Sequence, residues 1–227
     1  MAPKVAVKRE HGALRERIVD ELRADIVEGR LAPGTPLRTE EVMERFGVSN
    51  SPLREAFAQL AAEGLIRVYR NRGAFVAPLT RDSAADLVRV AALLWESVFR
   101  WSIPRLTPGD VSAMRRVAGD FDLAVVSGDT VTALSDADRF QSLVAEHCGS
   151  PELLRAVDVG GPRLQRLVRM LDGDERLAAH RELHDATLRA AKAADGQGAA
   201  DAVRAFWDRL ALAVDDVQFD EIEPQAR

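Results

Sequence analysis

The sequence contains one cysteine, Cys148, and no run of about 18 uncharged apolar residues of the kind that crosses a membrane. A single cysteine cannot form a disulfide within the chain, which is typical of proteins from a reducing compartment. Residues 1–11 are basic and polar and lack the apolar stretch of a secretory signal. These absences argue against a membrane span and a secretory signal, and we expect a cytoplasmic protein.

The 227 residues are 47% apolar, which is enough to bury a core and excludes a wholly disordered chain. Charge is divided unevenly along the sequence. Residues 1–78 contain 13 basic and 11 acidic side chains, whereas residues 79–227 contain 18 and 25. Such asymmetry indicates two parts with different partners. We predict one domain at 1–78, a linker at 79–82 and a second domain at 83–227.

The first domain begins with an amphipathic pattern. Leu14, Ile18, Leu22 and Ile26 recur every four residues, as on one face of a helix, and residues 1–10 read as a solvated tail.

Two shorter helices follow in the sequence. Thr39 is a suitable N-cap for the first of them, and Gly47 ends it. Ser51 and Pro52 form a cap followed by proline, which favours the start of the next helix. That helix has three apolar residues at helical spacing, which we assign to the core: Leu53, Phe57 and Leu60.

Residues 66–70 alternate in polarity with period two, as a half-buried strand does, and Asn71-Arg72-Gly73 marks a turn before a return strand at 74–76. Helix, helix, tight turn, helix and hairpin in this order describe a winged helix-turn-helix.

After residue 80 every strong signal is helical. Thr107-Pro108 and Ser150-Pro151 each predict a helix start, and Gly160-Gly161-Pro162 leaves open two helices or a kinked one. The last helix is predicted over roughly 199–218. The fold class is therefore mainly α, with a winged helix-turn-helix followed by an antiparallel bundle of six or seven helices.

A helix-turn-helix presents the start of its second helix to the DNA major groove. Side chains there can bond bases or phosphates, and a basic hairpin tip suits the adjacent minor groove. The predicted DNA-binding residues share these positions or precede the second helix: Arg38, Ser49, Asn50, Ser51, Arg54, Arg70, Asn71, Arg72 and Gly73.

Three stretches carry a family resemblance: FGVSNSPLREA at 46–56, LAAEGL at 60–65 and NRGAFV at 71–76. Through them the first domain resembles the DNA-binding domain of the GntR superfamily of bacterial transcription regulators. The resemblance implies operator binding by a homodimer. The family usually has arginine where this chain has Asn50, and often where it has Glu40. The loss of two cations weakens the salt-dependent attraction between the protein and the DNA phosphates. We hypothesise that Arg38 compensates for this loss by contacting a phosphate.

The second domain resembles the effector-binding, FCD-like domain of the FadR-type branch of that superfamily, through Phe140, SPELL at 150–154 and HRELHDA at 180–186. Many members hold a metal there with one aspartate and three histidines. The matching positions in this chain are Ala137, Gln141, His180 and Arg209. Since one ligand in four remains, we predict no metal and no cofactor.

The same resemblance suggests what replaces the metal. An amide, an imidazole and a guanidinium in one cavity would bind a small, acidic effector, with Arg209 taking the charge role of the metal. The predicted effector-binding residues line this cavity: Gln141, His180, Arg209, Trp95 and Trp207. Alternatively, Arg209 pairs with an acid within the bundle and the pocket is vestigial.

Two other function classes compete with a regulator. An enzyme would use His180 and His184, which lie one turn apart, but the sequence offers no nucleophile–base pair or phosphate loop, and we predict no catalytic residues. Two histidines on one helix face are more often structural or surface residues. The other alternative is a winged helix that binds protein, with a DNA face degraded by Glu40 and Asn50.

Overall fold

The computed structural model describes residues 3–171, 173–215, 217 and 219, with side chains described from residue 12 onward, apart from that of residue 215. Contacts between Cα atoms divide the chain into two compact units. Unit 1 comprises the chain up to residue 80 together with residues 159–169. Unit 2 comprises residues 81–158 and the described residues of 170–217.

Unit 1 has the order of elements predicted for a winged helix-turn-helix. Its elements are α1 (Pro3–Val27), β1 (Pro36–Leu37), α2 (Thr39–Phe46), α3 (Asn50–Ala62), β2 (Ile66–Tyr69) and β3 (Gly73–Val76). The strands form an antiparallel sheet in which β3 lies between β1 and β2. The β2–β3 hairpin pairs Ile66 with Val76 and Tyr69 with Gly73.

One apolar cluster joins the helices of unit 1 to the sheet. The predicted α1 face supplies Ile18, Leu22 and Ile26, each at most 1% exposed. The predicted α3 face and the two hairpin strands supply most of the remaining members: Leu53, Ala56, Phe57, Leu60, Ile66, Ala74 and Val76. Burial of these side chains fixes α3 and the wing on the same core, which is the main stabilising term for so small a unit.

Several local predictions for unit 1 were wrong. α1 begins at Pro3, so residues 3–10 are helical rather than a tail. Thr39 is the first residue of α2 rather than its cap, and α3 begins at Asn50, one residue before the predicted cap. Sequence analysis also missed β1, whose two residues carry no alternation. Val68, expected on the buried face of β2, is 58% exposed.

The regular elements of unit 2 within its described residues are all helices. Its helices are α4 (Arg81–Ser102), α5 (Pro108–Ser127), α6 (Thr130–Ala145), α7 (Pro151–Val168), α8 (Gly173–Lys192) and α9 (Gly196–Asp215), with a short 3₁₀ turn at Ile103–Arg105. Residues 159–168 of α7 are grouped with unit 1. The last helix was predicted to end at 218, which lies outside the described residues.

Start signals read from the sequence correspond to helix starts in unit 2. Thr107 caps α5 through a reciprocal box, in which its hydroxyl accepts from the Asp110 amide and the Asp110 carboxylate accepts from the Thr107 amide. Ser150 Oγ accepts from the amide of Leu153 at the start of α7. Pro162 lies within α7, which is one continuous helix where the sequence left open two helices or a kinked one.

Two features of the structure concern the residues around the predicted linker and the second domain. α4 begins at Arg81, so residues 81–82 of the predicted linker are helical. The grouping of residues 159–169 with unit 1 was not foreseen from the sequence. The division into domains at 1–78 and 83–227 stays a prediction.

Candidate DNA-binding surface and effector pocket

The recognition helix α3 is oriented by its buried side. Leu53 and Leu60 are at most 1% exposed. Arg54 follows Leu53 in the sequence and lies on the exposed side of the helix. Ser49 caps the helix in an extended conformation, and its side chain makes no capping hydrogen bond. The serine hydroxyl therefore remains available to another acceptor or donor. All four side chains predicted for this end of α3 are exposed: Ser49, Asn50, Ser51 and Arg54.

The turn before α3 is set by Gly47, which adopts the left-handed conformation (φ 64°). Its amide and that of Val48 donate to carbonyls in the last turn of α2, which satisfies the end of that helix. Arg17 of α1 donates to the Phe46 carbonyl at 3.0 Å, and the Arg45 guanidinium lies 4.9 Å from the Phe46 ring centroid. The Arg17 contact holds the end of α2 against α1, and the left-handed Gly47 gives the sharp turn that leads into α3.

The wing tip is a tight turn in which the Arg72 amide donates to the Tyr69 carbonyl at 3.2 Å. Asn71 and Gly73 have positive φ (67° and 86°), a conformation that asparagine and glycine tolerate best. The turn leaves Arg70 and Arg72 exposed to solvent. Sequence analysis did not single out Arg67 of β2, which is also exposed; its place in the polar half of the β2 alternation was the available signal.

The cations of this surface differ in whether they are paired. The guanidinium of Arg38 lies 3.1 Å from Glu41, and both side chains are about two-thirds exposed (68% and 64%). Such a pair is weak in water, so it competes only modestly with phosphate. Arg54, Arg70 and Arg72 form no ion pair with any residue that the structure describes. Compensation by Arg38 stays a prediction.

Three of the five predicted effector residues line one small pocket in unit 2. Trp95, Gln141 and Trp207 do so together with four apolar neighbours: Phe99, Leu183, Val203 and Phe206. The space among these side chains does not admit a water molecule. Pockets for drug-sized ligands usually measure about 300–1,000 Å³, so a ligand enters this pocket only if its walls move.

His180 does not line the pocket and is 5% exposed. Its ring centroid is 4.8 Å from that of Phe206, which also lines the pocket. His184, 2% exposed, is stacked on Phe140 at 4.1 Å. The Nδ1 atom of His180 and both ring nitrogens of His184 have no hydrogen-bond partner among the described residues.

Burial governs the charge of both rings. Desolvation lowers the pKa of His180 to about 3, with smaller contributions from His184 and the cation Arg176. Desolvation likewise lowers the pKa of His184 to about 4. Both imidazoles are therefore neutral near neutral pH, and each offers one donor and one acceptor. Thr187, on the same face of α8, adds a buried hydroxyl without a partner among the described residues, which helical spacing from His180 could have revealed.

Arg209 does not join the pocket-lining residues. Its guanidinium contacts Glu175 at 2.5 Å and Glu182 at 2.6 Å, which joins α9 to two points of α8 that lie about two turns apart. The hydrogen bonds that Arg209 donates to these glutamates raise its pKa far above the ordinary arginine value. The predicted convergence of Gln141, His180 and Arg209 is thus incomplete, and the pairing with an acid expected for a vestigial pocket is present.

The residues do not fit the metal that many relatives of this kind hold. Ala137 is fully buried and offers no lone pair, and an arginine cannot be a ligand. Within the described parts of the chain, no three His, Cys, Asp or Glu side chains are grouped as a metal ion requires. No helix in those parts is long and apolar enough to span a membrane.

A winged helix-turn-helix with exposed cations on its recognition helix and wing, followed by a helical unit, defines a DNA-binding regulator with an effector domain. Residues 14–76 match the gntR family of bacterial regulatory proteins, and residues 86–209 match the FCD domain. The chain belongs to this family: it is a DNA-binding transcription regulator whose helical domain binds a small effector.

Individual relatives agree with this assignment. The galactonate operon transcriptional repressor of Escherichia coli K12 is 30% identical over 199 residues, which cover 75% of this chain and 85% of the repressor. The repressor RspR of the same organism is 49% identical over 63 residues, 28% of either chain. The solved structure of E. coli McbR/YncC has a TM-score of 0.69 at 20% identity and covers 89% of this chain and 97% of its own, which shows a shared fold.

Proposed function

We propose that the protein binds a two-fold operator as a homodimer in the bacterial cytoplasm, with α3 in the major groove and the wing in the adjacent minor groove. The observation that supports this most is the pairing state of the cations. Arg54 on α3 and Arg72 on the wing are exposed and carry no ion pair among the described residues, although the chain is rich in carboxylates. A guanidinium held free in this way exchanges only water and counterions for DNA.

The two arginines have different roles in this proposal. Arg54 contacts a base edge, and Ser49, Asn50 and Ser51 hold the helix start against the backbone and bases. Arg70, Asn71 and Arg72 contact phosphates or the minor groove, where Gly73 permits close approach of the backbone.

Fluorescence anisotropy on the DNA upstream of the protein's own gene, measured over a range of salt concentrations, tests both roles. Arg54→Ala is expected to weaken operator binding by about 1–3 kcal/mol and to relax sequence preference, whereas Arg72→Ala weakens binding to all sequences and lowers the salt slope by about one unit. Arg38→Ala lowers the slope only if Arg38 leaves Glu41 to bind phosphate.

Arg155→Ala is a matched control, since Arg155 is an exposed arginine of unit 2 paired with Glu152. Operator affinity that is unchanged by Arg54→Ala and Arg72→Ala contradicts the proposal. Wild-type protein that ignores DNA altogether favours the alternative of a winged helix that binds protein.

We further propose that the effector is a small carboxylic acid bound without a metal, between Trp95, Gln141 and Trp207. Buried polar atoms in native proteins nearly always have partners, so the unpartnered nitrogens of His180 and His184 favour a ligand that supplies an acceptor. The Gln141 amide donates to the same acid group. Arg209 enters the site only when the carboxylate displaces Glu182.

Isothermal titration of the full chain with a panel of short hydroxy acids, against their neutral amides, tests the ligand class. Binding of an acid that is unaffected by a chelator, lost in Gln141→Ala and absent for the matching amide supports the proposal. Glu182→Gln removes one competitor for Arg209 and is expected to tighten acid binding several-fold. Binding that requires added divalent metal contradicts it.

A further inference from the structure

The outer side of α5 and α6 carries a groove of about 530 Å³ that none of the roles above uses. Arginines from both helices line it, together with one carboxylate and several apolar side chains: Arg115, Arg116, Asp120, Leu123, Arg139 and Leu143. We call these residues the α5–α6 face.

One apolar residue of the α5–α6 face is strongly exposed: Leu123, at 71%. Val126 and Val131, which are 83% and 81% exposed, follow it in the sequence but do not line the groove. Single exposed apolar residues are common, so Leu123 marks an interaction surface only together with the charged side chains that line the same groove.

The charged side chains of the α5–α6 face form no ion pairs within the part of the chain that the structure describes. Arg116 and Asp120 lie one turn apart on the same side of α5, yet they form no ion pair with each other or with another described residue. Arg115 and Arg139 are likewise without an ion pair in the described residues. A surface that carries both positive and negative side chains beside an exposed apolar residue can pair with the same surface of a second copy.

We propose that the α5–α6 face is the surface through which two copies of this chain associate, with α5 antiparallel to α5 of the partner. This inference rests on the homodimer of the proposed function. A two-fold interface uses the same patch on both copies. In an antiparallel pair of α5 helices, a residue before the two-fold axis lies opposite the residue that follows the axis by the same number of positions. An axis at the level of Ala118 therefore places Arg116 opposite Asp120 of the partner subunit, and the symmetry forms this pair twice.

The remaining residues suit the same arrangement. Gly119 lies next to the axis, and the space beyond its Cα is open, so the two helices can approach closely. Leu123 would lie near Ala113 of the partner subunit, which covers apolar surface now in water. A small anion would use the arginines but would leave Leu123 exposed and Asp120 repelling it, which is why a second copy fits better.

A second apolar stripe lies on α4, where Val90, Leu93 and Trp101 are 46%, 62% and 45% exposed. Polar neighbours there are engaged within the chain: Arg100 donates to Gln197 at 3.2 Å. Because Arg89 is also paired with Asp86, the α4 stripe offers apolar contact without the charge pairing of the α5–α6 face, and it is the competing outcome of the test.

Sedimentation of the full-length protein without DNA tests the arrangement through charge reversal. Arg116→Asp and Asp120→Arg, taken singly, place like charges opposite each other and are expected to raise the dimer dissociation constant at least about tenfold. The double variant restores opposite charges and is expected to return close to the wild-type value. Arg155→Asp is the control for a reversal elsewhere on unit 2.

Failure of the singles to weaken the dimer, failure of the double to recover, or a wild-type chain that stays monomeric each overturns the inference. Dissociation by Leu93→Glu with intact dimers in both single reversals assigns the interface to α4 instead. Because association is measured without DNA, this failure is distinct from failure of operator binding, which the Arg54 and Arg72 variants report.

Discussion

We expect acidification from about pH 7.5 to about pH 5 to destabilise unit 2 through His180 and His184. Burial lowers the pKa of these rings from 6.5 to about 3 and about 4. In the unfolded chain both rings bind protons as pH falls through 6.5, while in the folded chain they stay neutral. Stability is therefore fully present above pH 6.5 and is lost progressively as pH falls toward the folded values.

The magnitude follows from the same values. A pH of 5 is about 1.5 units below the pKa of each ring in the unfolded chain, and it is still above the pKa of each ring in the folded chain. At about 1.36 kcal/mol per unit, each histidine costs about 2 kcal/mol of unfolding free energy, and the pair costs about 4. The result depends little on the exact folded pKa values, because both lie below 5. Carboxylates with lowered pKa values, such as Asp25, lose their contribution only in more acidic solution.

Urea unfolding followed by circular dichroism at several pH values measures this effect. His180→Gln and His184→Gln each are expected to remove about half of the loss between pH 7.5 and pH 5, whatever they do to stability at neutral pH. His147→Gln serves as the control, since His147 is partly exposed beside Asp110 at 3.6 Å. An acid loss that is undiminished in the double variant of His180 and His184 would refute the reasoning.

Three further outcomes concern unit 1. Asp25 is 7% exposed and accepts from Arg30 and Arg45, both at 2.7 Å. The two arginines that Asp25→Ala leaves behind are about half exposed and can be hydrated, so the variant is expected to cost about 2 kcal/mol in urea unfolding at neutral pH. Burial raises the pKa of Asp25, but the hydrogen bonds from Arg45 and Arg30 lower it below 3.8 overall. The contribution of Asp25 to stability is therefore present above pH 3.8 and is lost as the pH falls further. A loss of stability below pH 3.8 that is the same in wild type and Asp25→Ala contradicts this. Gly47→Ala is expected to cost about 1 kcal/mol of unfolding free energy, because Gly47 has a positive φ. Gly12→Ala within α1 is expected to stabilise by up to about 1 kcal/mol, since the added methyl meets open space at both positions and alanine favours a helix. Changes of the same sign in the two variants would contradict the backbone explanation.

The sequence predicted those features that a local pattern encodes. The period of Ile18, Leu22 and Ile26 fixed the buried face of α1, and the Thr107 cap fixed the start of α5. β1 was missed because it exists through pairing of Pro36 and Leu37 with β3, a contact between distant residues that two positions cannot signal.

The effector pocket shows the same boundary between local and distant information. Helical spacing identifies which face of α9 holds Arg209, but not which side chains of α8 it meets. Glu175 and Glu182 lie seven residues apart on one face of α8, and their carboxylates engage the guanidinium that the sequence assigned to the pocket. Trp95, Gln141 and Trp207 did come together, because each lies on the inward side of its helix.

The central claim is that the start of α3 and the wing tip form one surface that docks on duplex DNA. Site-directed cleavage tests it directly, because the only native cysteine, Cys148, is buried and does not compete for a thiol-linked iron chelate. Ser51→Cys and Arg72→Cys, labelled in turn, are expected to cut the same operator half-site at positions about 5 base pairs apart, one in the major groove and one in the adjacent minor groove. Cleavage from one position without the other, or cuts in unrelated places, would contradict the account.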